Sequence, residues 1–380
     1  MNRYYFDHNA TTPVCPEALE AMLPVMAEVY GNASSIHYFG QAARHKLDEA
    51  RRRIQAMLGA KSADEIVFLS GGTEADNLAI LGIGGHAITT TIEHPAVLAA
   101  CGQLESVTQV PVDGRGVVDP EAIRRALRRD TTIISVMHAN NELGVIQPIA
   151  EIAAIAREAG AVMHSDGVQA AGKIAVNVHE LGVDLYSISG HKFYAPKGVG
   201  ALYVRKGVKL AAMMHGGHHE RDRRAGTENV SGAVGLGRAA QWVMEEGRAE
   251  WAREQALRDR LEQAILDRVA DSHANGIDLN GFGAPRTPNT SNIRFDGIDA
   301  EPLLIALDLK GFAVSSGSAC SSGAAEPSHV LSAIGLTKEQ AKSSIRFSLG
   351  RGNTVEQVDA LIEAVVECVA HLRKLAPAYA

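Results

Sequence analysis

From about residue 15 to residue 250 the chain alternates helix-type and strand-type segments, and this restricts its possible folds more than any other feature. PEALEAMLPVMAEVYG (16–31) opens on Pro, which suits the first position of a helix, and stops at Gly. Over 43–57, Ala43, Leu47, Ala50, Ile54 and Met57 recur at spacings of four and three, which predicts an amphipathic helix closed by Gly59. EIVFLS (65–70) then reads as a strand, TEADNLAILG as a helix, HAITTTIEH as a strand and PAVLAACG as a helix. VTQVPVD, DPEAIRRALRRD, TTIISVMHA, IAEIAAIAREAG and AVMHSD continue the pattern, and LYSIS (185–189) and GALYVR (200–205) add two strands. Such alternation implies an α/β fold, with parallel strands and crossover helices on both faces of the sheet.

A long polar helix over roughly 228–270 is expected to lead into a second unit. There, strands (SNIRFD, FAVSS, SSIRFSL) mix with helices (AEPLLIALDLKG, TVEQVDALIEAVVECVAHLRKL). The expected division is a large domain over 15–255 and a small α+β domain formed by 1–14 and 256–380, which suits a chain of 380 residues.

A net charge of −7 argues against nucleic-acid binding, which calls for a basic face. RRALRR (124–129) lies on an expected helix and reads as a solvated face. MNRYYFDHNATT has no apolar targeting core, and no apolar run approaches the roughly 18 residues that a membrane span needs. Cys15, Cys101, Cys320 and Cys368 are scattered without CxxC or disulfide-framework spacing, so a reducing compartment, the cytoplasm, is expected.

In open parallel sheets, ligands sit beyond the carboxyl ends of the strands. The polar residues that follow the expected strands are Ser70-Gly71-Gly72-Thr73-Glu74, Glu93-His94, Asn140-Asn141-Glu142, Asp166 with Gln169, and Ser189-Gly190-His191-Lys192. Each has an ordinary reading: a capped turn at the glycines, a helix N-cap at Asp166, a satisfied core histidine at His94, a surface lysine at Lys192. Together they supply what pyridoxal 5′-phosphate (PLP) requires. Glycines opening a helix expose N–H groups to a phosphate, a lysine forms a Schiff base with the aldehyde, and a carboxylate keeps the pyridine nitrogen protonated.

Seven motifs in order give the chain a resemblance to the cysteine desulfurases. They are SGGTEADN (70–77), MHANNELGVIQP (137–148), HSDGVQAAGK (164–173), SISGHKFYAPKGVGALYVR (187–205), RRAGTEN (223–229), SSGSACSSG (315–323) and IRFSLGR (345–351). These are PLP enzymes of the aspartate-aminotransferase fold, class V branch, with a large, mostly parallel sheet domain and a small α+β domain. The resemblance begins at DHNATTPV and covers most of the chain. CSSGAAEPSHVL (320–331) is similar to the longer loop of the group I enzymes of nitrogen fixation and iron–sulfur assembly.

The resemblance implies roles for individual residues. Lys192 would carry the cofactor, Asp166 would face its ring nitrogen, and His94 would stack on the ring and relay protons. Gln169 would face the ring hydroxyl with Asn141 beside the ring. Gly72, Thr73, Ser189 and His191 would hold the phosphate, with Thr227 reaching in from a second subunit of a homodimer. Arg346 would hold the substrate carboxylate, with Arg351 the next candidate, and Asn141 would also contact the substrate. Cys320 would attack the sulfur of L-cysteine, leaving L-alanine and a persulfide for an iron–sulfur scaffold or another sulfur-acceptor protein. A Gly/Ser/Ala strip bends at little cost, which suits a cysteine that carries cargo. No resident metal is implied, although Cys320 would meet an iron–sulfur cluster transiently.

Other readings share part of this set. A selenocysteine lyase or class V aminotransferase would keep Lys192 and Asp166, a silent assembly scaffold would need neither, and a thiol hydrolase would pair Cys320 with His329. Cys15 reads as incidental, and Cys101 and Cys368 as packed thiols. In MMHGGHHERDRRAGTEN (213–229), His215, His218, His219 and Asp222 depart from the family's glycine-rich pattern and raise the question of zinc or an altered subunit interface. Gly167 stands where alanine is common, a difference expected to matter little.

Overall fold

The computed structural model describes residues 2–276, 283–316 and 327–375. The first elements are β1 (Tyr4–Tyr5), α1 (Pro16–Ala27), α2 (Tyr38–Leu58), β2 (Ile66–Leu69), α3 (Gly72–Ile83) and β3 (His86–Thr90). Next come α4 (Pro95–Cys101), β4 (Ser106–Val110), α5 (Pro120–Ala126), β5 (Thr131–Ser135), α6 (Ile149–Ala159) and β6 (Val162–Asp166). They are followed by α7 (Val178–Leu181), β7 (Leu185–Ser189), β8 (Gly200–Val204), α8 (Val230–Arg268), β9 (Ser272–Ala274) and β10 (Thr290–Phe295). The last are α9 (Ala300–Leu309), β11 (Phe312–Ala313), α10 (His329–Ala333), α11 (Lys338–Lys342), β12 (Ser344–Ser348) and α12 (Val355–Leu375).

Among the described residues, seven strands form one sheet in the order β2-β8-β7-β6-β5-β3-β4. All run parallel except β8, which is antiparallel to both β7 and β2. The expectation of parallel strands fails at β8 for a topological reason. Segment 190–199, which joins β7 to β8, has no helix of crossover length, and a short return within one sheet must be antiparallel. β2, β3, β7 and β8 are buried along their whole length, as strands covered on both faces should be, whereas β4 at the sheet edge alternates.

The apolar stripe read from the sequence is the buried face of α2, closed by Gly59 at φ 66°. α1 instead ends at Ala27, short of the expected Gly31. Gly31 serves close approach rather than helix termination: a Cβ there would come 2.2 Å from the carbonyl oxygen of Phe39.

One core lies around the large sheet, and a second is built from β10, β12, α9 and α12. α8 enters both, giving Ala233, Leu236, Ala240 and Val243 to the first and Leu257, Leu261 and Ile265 to the second. β1 pairs with β11 and Phe6 sits in the second core, so the N-terminus packs with the C-terminal part. In 124–129, Arg124 pairs with Glu121 and Glu158, Arg125 with Asp119 and Arg128 with Asp130, all on the exposed surface.

The carboxyl ends of β2, β3, β5, β6 and β7 share one edge of the sheet. From β3 the chain moves outward to β4, whereas β5, β6 and β7 step the other way, so a crevice opens at the reversal.

Candidate active site

A cavity of about 340 Å³ occupies that crevice. Gly72, Thr73, His94, Asn141, Asp166, Gln169, Ser189, His191, Lys192 and Arg346 all line it, so ten of the residues singled out from sequence meet in one place.

One wall is the start of α3, packed closely at its glycines. A Cβ on Gly72 would lie 2.8 Å from Val168 Cγ2, and one on Gly200 would lie 2.8 Å from Gly71 Cα. The result is a row of free N–H groups at the positive end of a helix, beside the side chain of Ser189. Glu74 is kept from competing for them, because it accepts from Ser70 N at 2.6 Å and from Arg224 Nε at 2.9 Å.

At the base, Asp166 ends β6 in a buried position. Its Oδ1 accepts from Val168 N at 2.9 Å, and among the described residues no other hydrogen bond reaches this carboxylate. Burial raises its pKa, while His94 and Lys192 pull it back down. His94 caps α4: its Nδ1 accepts from Ala96 N at 3.1 Å, so in the neutral ring the proton sits on Nε2. Desolvation lowers the basicity of His94, Lys192 and His329 add to the effect, and Asp166 opposes it.

Lys192 follows β7 in a single 3₁₀ turn. Its Nζ donates to the carbonyl oxygens of Asn9 at 2.7 Å and Ala10 at 2.8 Å. Burial, then the Arg346 charge, lowers its pKa to about 8, against the pull of Asp166 and Asp7. His191 is held neutral, its pKa lowered to about 4 by burial and by Lys192, Lys197 and Lys173. On the opposite wall, Arg346 on β12 is only 4% exposed. Its Nη2 donates to Asp7 Oδ1 at 2.6 Å and its Nη1 to the carbonyl oxygen of Asn141 at 3.0 Å, while its buried Nε has no partner among the described residues.

Comparison with known proteins assigns the chain to a family. The aminotransferase class-V family matches residues 4–361. The chain is 48% identical over 384 residues to the cysteine desulfurase IscS of Dictyoglomus turgidum, covering 98% of this chain and 96% of that one. A solved NifS-like protein superposes with a TM-score of 0.89 at 36% identity, over 97% of this chain and 100% of the other. SspA, solved in complex with cysteine, gives a TM-score of 0.79 at 34% identity, over 91% of this chain and 98% of that one. The chain belongs to the cysteine desulfurases of the class-V aminotransferase family.

Members of this family depend on PLP, and the residues present fit that group. The α3 cradle, which a single Cβ would fill, suits a phosphate, and the under-bonded buried carboxylate of Asp166 suits a protonated ring nitrogen. The lowered pKa of Lys192 suits an amine that must be neutral to form the covalent link.

Two residues singled out from the desulfurase motifs are not among the cavity's described lining. Cys320 lies outside the described residues. Its segment begins beside the cavity, however, because Ser315 is part of the wall and bridges to Arg346 through main-chain hydrogen bonds. On the far side, Ser328 donates to Glu142 Oε2 at 2.6 Å and His329 Nε2 donates to the carbonyl oxygen of Glu93 at 2.9 Å. Five residues from Ser315 to Cys320 reach at most roughly 17 Å, which is ample to enter the cavity. Thr227 is exposed and does not line the cavity of its own chain.

In the departing loop, His218 and Asp222 pair at 2.5 Å on the exposed surface. Glu220, Arg221 and Asp222 all have positive φ, at 44°, 57° and 64°. A buried bidentate pair between Glu220 and Arg51, at 2.7 Å on both arms, holds that strained turn. Gly167 matters more than expected. A Cβ there would come 2.0 Å from Tyr186 Cζ, so glycine makes room for a tyrosine whose hydroxyl pairs with His138 Nδ1 at 2.8 Å. Sequence reasoning missed Asn9, Asp7 and Asp76. The first and last line the cavity, and Asp7 holds Arg346. DHNATT has no helical or strand periodicity to place it, and Asp76 reads as an ordinary position within a helix.

Proposed function

We propose that this chain removes sulfur from L-cysteine with PLP, forming L-alanine and a persulfide on Cys320 that passes to an iron–sulfur scaffold or another acceptor protein. The observation that carries the reading is the meeting of Lys192, Asp166, His94 and Arg346 in one cavity whose wall includes Ser315, where the Cys320 segment starts. The other cysteines are poor candidates. Cys15, Cys101 and Cys368 are buried and burial raises each thiol's pKa, that of Cys101 to about 12.

When bound, the cofactor supplies an aldehyde for the amine of the substrate and a ring that draws electron density from its α- and β-carbons. Arg346 takes the carboxylate and so fixes which way the thiol points. Lys192 would hold the cofactor through its amine and, with a pKa lowered to about 8, is able to accept and return a proton at Nζ. His94 presents Nε2–H as a donor because the end of α4 occupies Nδ1. The Cys320 thiolate attacks Sγ of the substrate, the Cβ–Sγ bond breaks, and the electron pair left towards Cβ is quenched by a proton to give alanine. The sulfur remains bonded to Cys320.

The protein acts as a homodimer in this proposal. Thr227 is exposed and outside its own cavity, free to serve a neighbour's. Leu23, Met26, Tyr30, Ile36 and Tyr38 are large, apolar and exposed around the end of α1 and the start of α2, the kind of surface a second copy covers. No helix among the described residues is long and apolar enough to cross a membrane, and we place the reaction in the reducing cytoplasm, where a persulfide carrier keeps its thiol.

The test is to incubate PLP-loaded protein with L-cysteine, quantify alanine and map the persulfide by mass spectrometry. Stoichiometric alanine with label on Cys320 is expected. Alanine without a protein persulfide, or label confined to Cys15 or Cys101, would overturn the assignment.

A further inference from the structure

Lys173 is a buried lysine that the mechanism leaves unused. It lies in the turn after β6 and does not line the main cavity. Its Nζ donates to Asn9 Oδ1 at 2.8 Å and, over a short contact, to Gln169 Oε1. No ion pair forms between Lys173 and a carboxylate among the described residues; the charged groups nearest in effect are Lys192, Glu254 and Arg346. Burial lowers its pKa well below the ordinary lysine value and raises that of Glu254 to about 8. An amine kept in so costly a place needs an explanation.

The hydrogen bonds supply one. Gln169 Nε2 donates to the main-chain oxygen of Asn9 at 3.0 Å. That oxygen can only accept, so the amide nitrogen must face it and Oε1 must face Lys173. The two neighbours thus enforce the same orientation of the amide. One N–H of Nε2 is spent on Asn9, and because Gln169 lines the cavity, the second is the polar group left for a ligand there. Asn9 is fixed in turn. Its Nδ2 donates to the carbonyl oxygen of Asn141 and to Thr290 Oγ1, and its Oδ1 accepts from Lys173 and Asn289. The same Asn9 carbonyl oxygen also receives Lys192 Nζ.

We propose that Lys173 is a positioning residue that locks the Gln169 amide so that its free N–H, and never its oxygen, faces the oxygen on the cofactor ring. Without the Lys173 amine, Oε1 loses its only donor among the described residues, and the single bond from Nε2 to the Asn9 oxygen is left to hold an amide that two neighbours held before. The inference rests on the PLP reading above, and its test separates the two.

The readout is the pH midpoint of the cofactor's visible absorption band in the resting holoenzyme, together with the affinity of apoprotein for PLP by fluorescence titration. An N–H donated to the ring oxygen favours its anionic form, so losing that donor shifts the midpoint upward. Lys173→Met keeps the side-chain volume and removes the amine. It is expected to raise the midpoint by at least about half a pH unit and weaken PLP binding about three- to thirtyfold, the range of one charge-assisted hydrogen bond. Lys173 also acts on the site as a nearby charge, so the same change is made in a Gln169→Leu background. If Lys173 works through the amide, it adds no further shift there. An unshifted midpoint in Lys173→Met, or the full shift persisting in the Gln169→Leu background, would overturn the proposal. If Lys173→Met fails to fold, Gln169→Leu alone must show the raised midpoint, and a wild-type midpoint in that variant would refute the role equally. Absence of any visible band in wild-type protein given PLP would count against the PLP reading instead.

Discussion

Arg346→Ala is the most informative single change, because the structure shows what the guanidinium does before substrate arrives. Among the described residues, two of its five N–H groups are spent, one on Asp7 Oδ1 and one on the carbonyl oxygen of Asn141, and the buried Nε has no partner. Three N–H groups remain, enough for a two-oxygen carboxylate. Truncating one partner of a desolvated charge pair typically costs about 2–5 kcal/mol, which corresponds to a roughly 30- to 5,000-fold loss in kcat/KM. Asp7 already neutralises part of the charge, so the lower half is expected, about 30- to 400-fold. The loss should fall mainly on KM, since the carboxylate is held alike in ground and transition states. Arg346→Lys should recover only part of it, because an ammonium cannot engage both oxygens in one plane.

Steady-state kinetics over a range of L-cysteine concentrations reads this directly, with a thermal melt of each variant to exclude unfolding. Asp7→Asn is the companion variant: it returns the whole arginine charge to the substrate and should lower KM. If Arg346→Ala stays within about threefold of wild type, the substrate carboxylate is held elsewhere and the assignment of Arg346 fails. Arg351 offers no substitute. It is bidentate with Glu17 and lies 4.6 Å over the ring of Trp242, away from the cavity.

Four further outcomes are expected. Lys192→Ala should fold and bind PLP without a covalent link, and alanine release over repeated turnovers near the wild-type rate would remove Lys192 from its role. In wild-type apoprotein, the rate of covalent PLP capture should rise with pH through a midpoint near 8, because the neutral amine attacks and the lysine pKa is lowered to about 8; a midpoint above about 10 would contradict the burial argument. Cys320→Ala should keep PLP and respond spectrally to L-cysteine but accumulate no persulfide by mass spectrometry. Dilution to monomer should loosen PLP and abolish turnover, whereas a fully active monomer on a sizing column would show that Thr227 serves no neighbour.

The features legible in the sequence are those with a local signature. The periodicity of Ala43, Leu47, Ala50, Ile54 and Met57 is the buried stripe of α2, and the polar residues after β2, β3, β5, β6 and β7 do converge. What stayed hidden depends on pairings distant in sequence. Nothing in FDHN announces that Asp7 will meet Arg346, or that Asn9 will gather Lys173, Gln169, Lys192 and Asn141. α8 reads as polar because much of its buried face is glycine and alanine, whose small side chains admit close neighbours without registering as an apolar stripe. Gly167 read as a neutral change because its meaning lies on another strand, in the ring of Tyr186.

The chemistry asks different things of the groups that act on the cofactor and of the cysteine that carries sulfur. Lys192, Asp166 and His94 each sit at or just past a buried strand of the large sheet, and that edge is bound to the small sheet through the carbonyl oxygen of Asn141, which accepts from Arg346 of β12 and from Asn9, itself bonded to Thr290 of β10. Groups that act on a cofactor gain from such placement, since a misplacement of about 1 Å costs orders of magnitude in rate. A sulfur carrier faces the opposite demand, because the atom it receives inside the cavity must be delivered to another protein. The sequence places Cys320 between two described ends that are held at this site, Ser315 by Arg346 before it and Ser328 and His329 by Glu142 and Glu93 after it, so the sulfur carrier is tied along the chain to the groups that act on the cofactor.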